Sequence, residues 1–254
     1  MSEESNSNSS VSADLAYFNK LIYDVPVSEW NPYLKQHGYD YQVDTSLSQP
    51  DTAVLINKKT MKTVTVHSGT NLKERPISDL TTDAFIVMDL TGMSARYKKA
   101  KTIQQRVLSK YPNFEHSTTG FSLGGAVANQ IGHELDIDSN VFNPGVSPAV
   151  FKRRLDEQGK QRLFKRPKQG KASHRIHLTK GDWISNSGYM GIYGDEDLEF
   201  NTAKSDSSSM AGKAHAIENW IPKGRDNPTH PVQPSAAAVH SRVHKPKRKR
   251  NPLT

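Results

Sequence analysis

From Asp14 to Tyr23 (DLAYFNKLIY), Leu15, Phe18 and Ile22 recur at spacings of three and four, which places them on one face of a helix. From Ala95 to Tyr111 (ARYKKAKTIQQRVLSKY), Ala100, Ile103, Val107 and Leu108 repeat the pattern in a stretch with few helix breakers. Between these two the period shortens. Thr52 to Asn57 (TAVLIN) and Thr63 to His67 (TVTVH) read as strands, and the turn Asn57-Lys58-Lys59-Thr60 predicts a hairpin. His116-Ser117-Thr118-Thr119 suits another short strand. After it, Leu123, Ala126, Val127, Gln130, Ile131 and Leu135 return to near-helical spacing, with apolar positions mostly on one face. Asn140 to Asn143 (NVFN) is a strand stopped by Pro144-Gly145. Arg175 to Thr179 (RIHLT) is a strand ended by Lys180-Gly181-Asp182, and Leu198 to Thr202 (LEFNT) an edge strand. Segment 72–92 is mixed and ends in the apolar run Ala84 to Met88. No internal repeat is visible. Strands that alternate with helices predict an α/β fold built on a largely parallel sheet.

The chemistry starts where the third predicted strand meets its helix. Gly120-Phe121-Ser122-Leu123-Gly124 has the G-x-S-x-G pattern of a nucleophile elbow, in which a serine stands on a tight strand-to-helix turn with its hydroxyl exposed. The turn brings backbones close together, so small residues are needed on both sides. A Gly-rich turn leading into a helix is the plainer reading, and three fixed residues are weak on their own. The strand before and the helix after put the motif where such a serine is needed.

A serine hydroxyl requires a base within hydrogen-bond reach, and the base an orienting carboxylate. Behind such an elbow the order along the chain is Ser, Asp/Glu, His. Asp182 directly follows a predicted strand at the sheet edge where Ser122 sits, and His215 (KAHAIENW) comes after it, in the last stretch before the chain turns tail-like. The competing acids are Asp136 and Asp138 at the end of the elbow helix and the loop run Asp195-Glu196-Asp197. The competing histidines are His133 on the helix, His174 and His177 at the strand, and His230, His240 and His244 in the tail. An oxyanion hole needs two backbone N–H donors. Leu123 supplies one, and Thr70, in His67-Ser68-Gly69-Thr70-Asn71, the other, together with a hydroxyl.

Composition bounds the rest. The 254 residues suffice for one large α/β domain or two small ones. Residues 1–12 are rich in Ser, Asn and Glu and predict a disordered segment, residues 13–221 the α/β domain, and residues 222–254 a disordered basic tail. The start has neither a basic n-region nor an apolar h-region, so no secretory signal is expected. No apolar run of about 18 residues predicts a transmembrane helix. There is no cysteine, hence no disulfide or thiolate metal site. An intracellular or nuclear setting, or association with a virion, fits these features. Of the net charge of +8, residues 222–254 carry +7 (eight Lys and Arg against Asp226). HKPKRKR within 240–254 resembles a nuclear-import or polyanion-binding run, with nucleic acid or an anionic membrane surface as partners and plain solubility as the bland reading. A second block, residues 152–175, is also net +8 but joins a helix to a strand, at the sheet edge opposite the elbow.

Taken together, these segments resemble the class 3 lipases, the fungal triacylglycerol-lipase-like branch of the α/β-hydrolases. The similarity runs from about Leu15 to Trp220. TVTVHSGTN resembles the family's strand and R-G-T/S oxyanion loop, SDLTTDAF the segment after it, and ARYKKAKTIQQRVLSKYPNF the helix before the elbow. TTGFSLGGAVANQIG resembles its G-H-S-L-G-G-A signature, and VFNPG, GDWIS and HAIENW the later strand, aspartate loop and histidine segment. The resemblance implies the α/β-hydrolase fold, a triad of Ser122, Asp182 and His215, an oxyanion hole at Thr70 and Leu123, and no metal or organic cofactor. It implies a lid over the site at 72–96, with Phe85, Ile86, Val87 and Met88 as an apolar underside or as core. Two positions depart from the family pattern: Ser68 stands where an arginine is usual, and Phe121 where a histidine is usual.

The expected activity is hydrolysis of a lipid ester, triacylglycerol or phospholipid, through an acyl-enzyme. A catalytically silent adaptor of the same fold with a basic binding tail is the alternative. A serine peptidase or thioesterase is a third reading. Sequence leaves oligomeric state open.

Overall fold

The computed structural model describes residues 2–69, 93–145, 171–182, 197–202 and 215–222. Thr70, the segment 72–92 with Phe85 to Met88, residues 152–170 of the inner basic block, Asp195 and Glu196, and the tail from 223 with His230, His240 and His244 lie outside the described residues.

Seven strands form one sheet in chain order: β1 (Gln42–Val43), β2 (Thr52–Asn57), β3 (Lys62–His67), β4 (Glu115–Phe121), β5 (Asp138–Phe142), β6 (His174–Lys180) and β7 (Asp197–Thr202). β1, β2 and β3 are antiparallel, and every pairing from β3 to β7 is parallel. The predicted hairpin joins β2 to β3. Asn57 closes it by accepting the N–H groups of Lys59 (3.0 Å) and Thr60 (3.1 Å) on its side-chain oxygen, the usual work of Asn in a turn. The shortness of β1 and its lack of period kept it out of the sequence reading.

Helices cover both faces. α1 (Ser2–Asp24) and α2 (Trp30–Gln36) lie on one, and α3 (Met93–Lys110) and α4 (Leu123–Leu135) on the other. Leu15, Phe18, Leu21 and Ile22 of α1 meet Ala53, Leu55, Val64, Val66, Phe121 and Phe142 of the sheet. Across the sheet, Val54 packs on Ile103 and Val107 of α3, while Ala100 joins Val127 and Ile131 of α4. Alternate residues of β2 thus point to opposite layers, as the period of two requires. Crossovers of one hand between parallel strands laid down in one direction put α3 and α4 on the same side.

Helix α1 extends past the predicted Asp14–Tyr23 on both sides, and its buried turns run from Ala13 onward.

Candidate active site

β4 runs into α4 through Ser122, at φ 55° and ψ −127°, a region that side chains avoid. The surroundings leave it no alternative. A Cβ on Gly120 would stand 2.1 Å from the carbonyl oxygen of Gly124, and one on Gly124 would stand 2.1 Å from that of His67, so both flanking glycines are required by contact. The backbone is tied down as well. Ser122 N–H donates to the Phe142 carbonyl at 3.1 Å, and the Ser122 carbonyl accepts from Gly145 N–H at 2.9 Å.

Three residues far apart in sequence meet here. His215 Nε2 lies 2.9 Å from Ser122 Oγ, and His215 Nδ1 lies 2.7 Å from Asp182 Oδ2. Asp182 is fully buried and His215 is 2% exposed. A carboxylate only accepts, so the proton between Asp182 and the ring belongs on Nδ1. That leaves the Nε2 lone pair facing the hydroxyl, the arrangement in which imidazole withdraws a proton from serine.

Each partner has its own support. Asp182 follows β6 after Gly181 (φ 86°), and its N–H donates to the Thr179 carbonyl at 3.1 Å. Buried Asn143, at the end of β5, locks that strand end to β6. Its side-chain oxygen accepts from Thr179 N–H (2.8 Å), and its amide donates to Thr179 Oγ1 (3.0 Å). His215 leads into the 3₁₀ turn Ile217–Trp220, whose Ile217 is buried in the α1 core. Lys20 Nζ, in the buried face of α1, reaches Glu218 of that turn at 2.7 Å and Asp24 at 2.8 Å. Asn201 of β7 donates to the Asn219 carbonyl at 2.9 Å. Phe121 packs its ring with its centre 4.9 Å from that of the His215 imidazole.

The loop after β3 is held from two sides. Tyr23 accepts from Gly69 N–H and donates to the Phe121 carbonyl at 3.3 Å. Burial pushes its phenol up to about 12, so it keeps its proton. From α3, Arg96 Nη2 donates to the Ser68 carbonyl and to Ser68 Oγ (2.9 Å). A guanidinium therefore sits at Ser68 although the residue itself is not arginine. Thr70 lies outside the described residues. Leu123 opens the first turn of α4, where N–H groups have no intrahelical acceptor.

The competing residues lie elsewhere. Asp138 pairs in register with Ser117, toward the start of the parallel strands and away from Ser122. Asp136 and Asp138 accept the N–H groups of Ala172 (3.3 Å) and Ser173 (2.8 Å). His174 stacks on His133 with ring centres 3.7 Å apart, and His177 Nδ1 is 2.9 Å from Glu199 Oε2. Asp197 opens the edge strand β7. Tyr23, Arg96, Asn143 and Lys20 were not singled out from sequence. No motif marks them, and only the fold brings them to the site.

No family model and no curated protein sequence matches the chain. Solved structures do. The Rhizomucor miehei triacylglyceride lipase matches with a TM-score of 0.50 at 12% identity, over 87% of this chain and 94% of that one. A deletion mutant of the Rhizomucor miehei lipase propeptide complex also matches with a TM-score of 0.50, at 13% identity, over 87% of this chain and 77% of that one. A lipase from Rhizopus microsporus var. chinensis matches with a TM-score of 0.49 at 17% identity, over 87% and 85%. The fold is the α/β-hydrolase fold that the two Rhizomucor lipases share.

Proposed function

We propose that this protein is a serine carboxylester hydrolase acting on lipid esters. The observation that carries the reading is the run Ser122–His215–Asp182, with separations of 2.9 and 2.7 Å on a strained elbow. The likeness to lipases supports the fold on which it rests. In this reading His215 Nε2 takes the proton of Ser122 as Oγ attacks the ester carbonyl carbon. Asp182 holds the ring in the required tautomer and stabilises the imidazolium. The tetrahedral oxygen is met by Leu123 N–H and by the N–H and hydroxyl of Thr70. When the C–O bond breaks, the imidazolium returns its proton to the leaving alcohol. Water, deprotonated by the same ring, then releases the acid from the acyl-enzyme.

A fluorophosphonate probe tests the nucleophile. The wild-type protein is expected to be labelled, Ser122→Ala unlabelled, and p-nitrophenyl ester turnover lost in the same variant. Labelling that persists without Ser122 refutes the assignment. Turnover of thioester or peptide but not of ester redirects the reading to a thioesterase or peptidase. Failure on every substrate points to the silent adaptor, with the basic tail 240–254 as its binding element.

A further inference from the structure

A cavity of about 330 Å³ opens beside the loop after β3, lined by Tyr23, Asp51, Ser68, Gly69, Arg96 and Lys99 among others. It shares Ser68 and Gly69 with the loop that leads to Thr70. It also lies against the elbow: a Cβ on Gly69 would stand 3.2 Å from the Phe121 carbonyl oxygen and 3.6 Å from the Gly124 nitrogen. Among the described residues that line it, Arg96 and Lys99 stand against one carboxylate, Asp51, both of whose oxygens Lys99 Nζ engages at 3.1 Å. Arg96 is half-buried. It spends one Nη on two neutral oxygens of Ser68, and among the described residues no carboxylate lies within ion-pair distance of it. Its charge reaches inward, since Arg96, after burial, is what holds the neighbouring His67 low.

We propose that this cavity is the subsite for an anionic headgroup, so that the esters cleaved at Ser122 carry a phosphate. A guanidinium presents a planar fork of donors, five N–H groups in all, that matches phosphate oxygens in pairs. One Nη of Arg96 is fixed by Ser68, which orients the remaining donors without neutralising them. Lys99, paired with Asp51, adds ammonium N–H donors beside it. A triacylglycerol brings no charge to pair with these groups. A phosphate ester brings a negative charge beside the loop that leads to Thr70. This inference rests on the esterase reading, because the subsite is defined by its distance from that loop.

The test uses monomeric short-chain lipids, so that attraction of the basic tail to a charged interface plays no part. Dihexanoyl phosphatidic acid and dihexanoylglycerol carry the same acyl esters and differ in the phosphate. The full-length protein is expected to favour the phosphate by tenfold or more in kcat/KM. Lys99→Gln is expected to cut that preference severalfold through KM and Lys99→Glu to abolish it, read in each variant as the ratio of the two lipids. Lys59→Gln, far from the site, is expected to leave that ratio unchanged. Inorganic phosphate added to the butyrate assay separates the sources. Weak inhibition that is relieved in Lys99→Glu supports the subsite with a lipid phosphate as its ligand, whereas inhibition as tight as the lipid's own binding shows a site for free phosphate and overturns the lipid assignment. Equal turnover of the two lipids, or a preference that survives Lys99→Glu, overturns the subsite. Absence of both butyrate turnover and fluorophosphonate labelling overturns the esterase reading instead, so the two failures remain distinct.

Discussion

Ser122 holds a backbone conformation that costs on the order of 1–3 kcal/mol for a residue with a Cβ at its φ of 55° and ψ of −127°. The hydrogen bonds to Phe142 and Gly145 and the two tight glycine contacts keep it there. The cost can be read out. Ser122→Ala keeps the Cβ and the strain, whereas Ser122→Gly removes both and loses about 0.5–1 kcal/mol in chain entropy. Both variants are expected to be inactive, but the glycine variant is expected to be more stable than the alanine variant by about 1 kcal/mol in urea unfolding. Equal midpoints would show that the turn is relaxed. Ser122, Asp182 and His215 were legible in sequence because a local pattern fixed the first, and chain order and strand ends selected the others. Tyr23 and Arg96 were not. Their contacts span 46 and 28 residues and involve backbone atoms, which leave no imprint on residue type. Position 68 is a serine, and in space Arg96 delivers a guanidinium to it.

The elements legible in sequence are those whose burial follows a period. β2, β3 and α3 appear within a residue or two of their expected ends because one face of each is packed on the sheet or beneath it. α2 escaped because it has seven residues and carries Pro32 in its first turn, where proline is tolerated but reads as a break. The helix that was legible only in part, α1, has a function beyond packing. One turn of it, Lys20 to Asp24, holds the histidine turn through Glu218 and the loop after β3 through Tyr23. Glu218 is half exposed, so its pair with Lys20 adds little to stability, less than about 1 kcal/mol. Its worth lies in where it places His215. Glu218→Gln is expected to lower kcat about fivefold at unchanged KM, because a small misplacement of the base is felt in the reacting geometry. Lys20→Glu alone is expected to do worse, and the exchange Lys20→Glu with Glu218→Lys to recover part of the loss. A fall confined to KM, or no recovery in the exchange, would show that the pair does not position the base.

Across the whole molecule, stability is tied to pH by groups buried in a single charge state. His67 ends β3 beneath the elbow, is 1% exposed, and neither ring nitrogen has a hydrogen-bond partner among the described residues. Burial first, and the charge of Arg96 second, push its pKa from 6.5 down to about 3. The folded protein therefore keeps this ring neutral where the unfolded chain binds a proton, and stability falls as pH drops below the unfolded value. His116, also held low by burial, acts in the same direction. Asp44 acts in another window. Burial opposes its charge, but Lys110, Ser46 and Tyr111 outweigh burial and hold it at about 2. Its contribution is complete above the ordinary carboxylate value of 3.8 and fades only as pH approaches 2. Between pH 7 and 5, then, His67 acts without Asp44. Its shift predicts a loss of about 2 kcal/mol over that range. Urea unfolding at the two pH values measures it. His67→Leu, which fills the same buried place without a titrating group, is expected to remove most of the slope. If the slope survives unchanged in that variant, the acid sensitivity belongs to other histidines, and His67 is protonated or solvated in the folded chain.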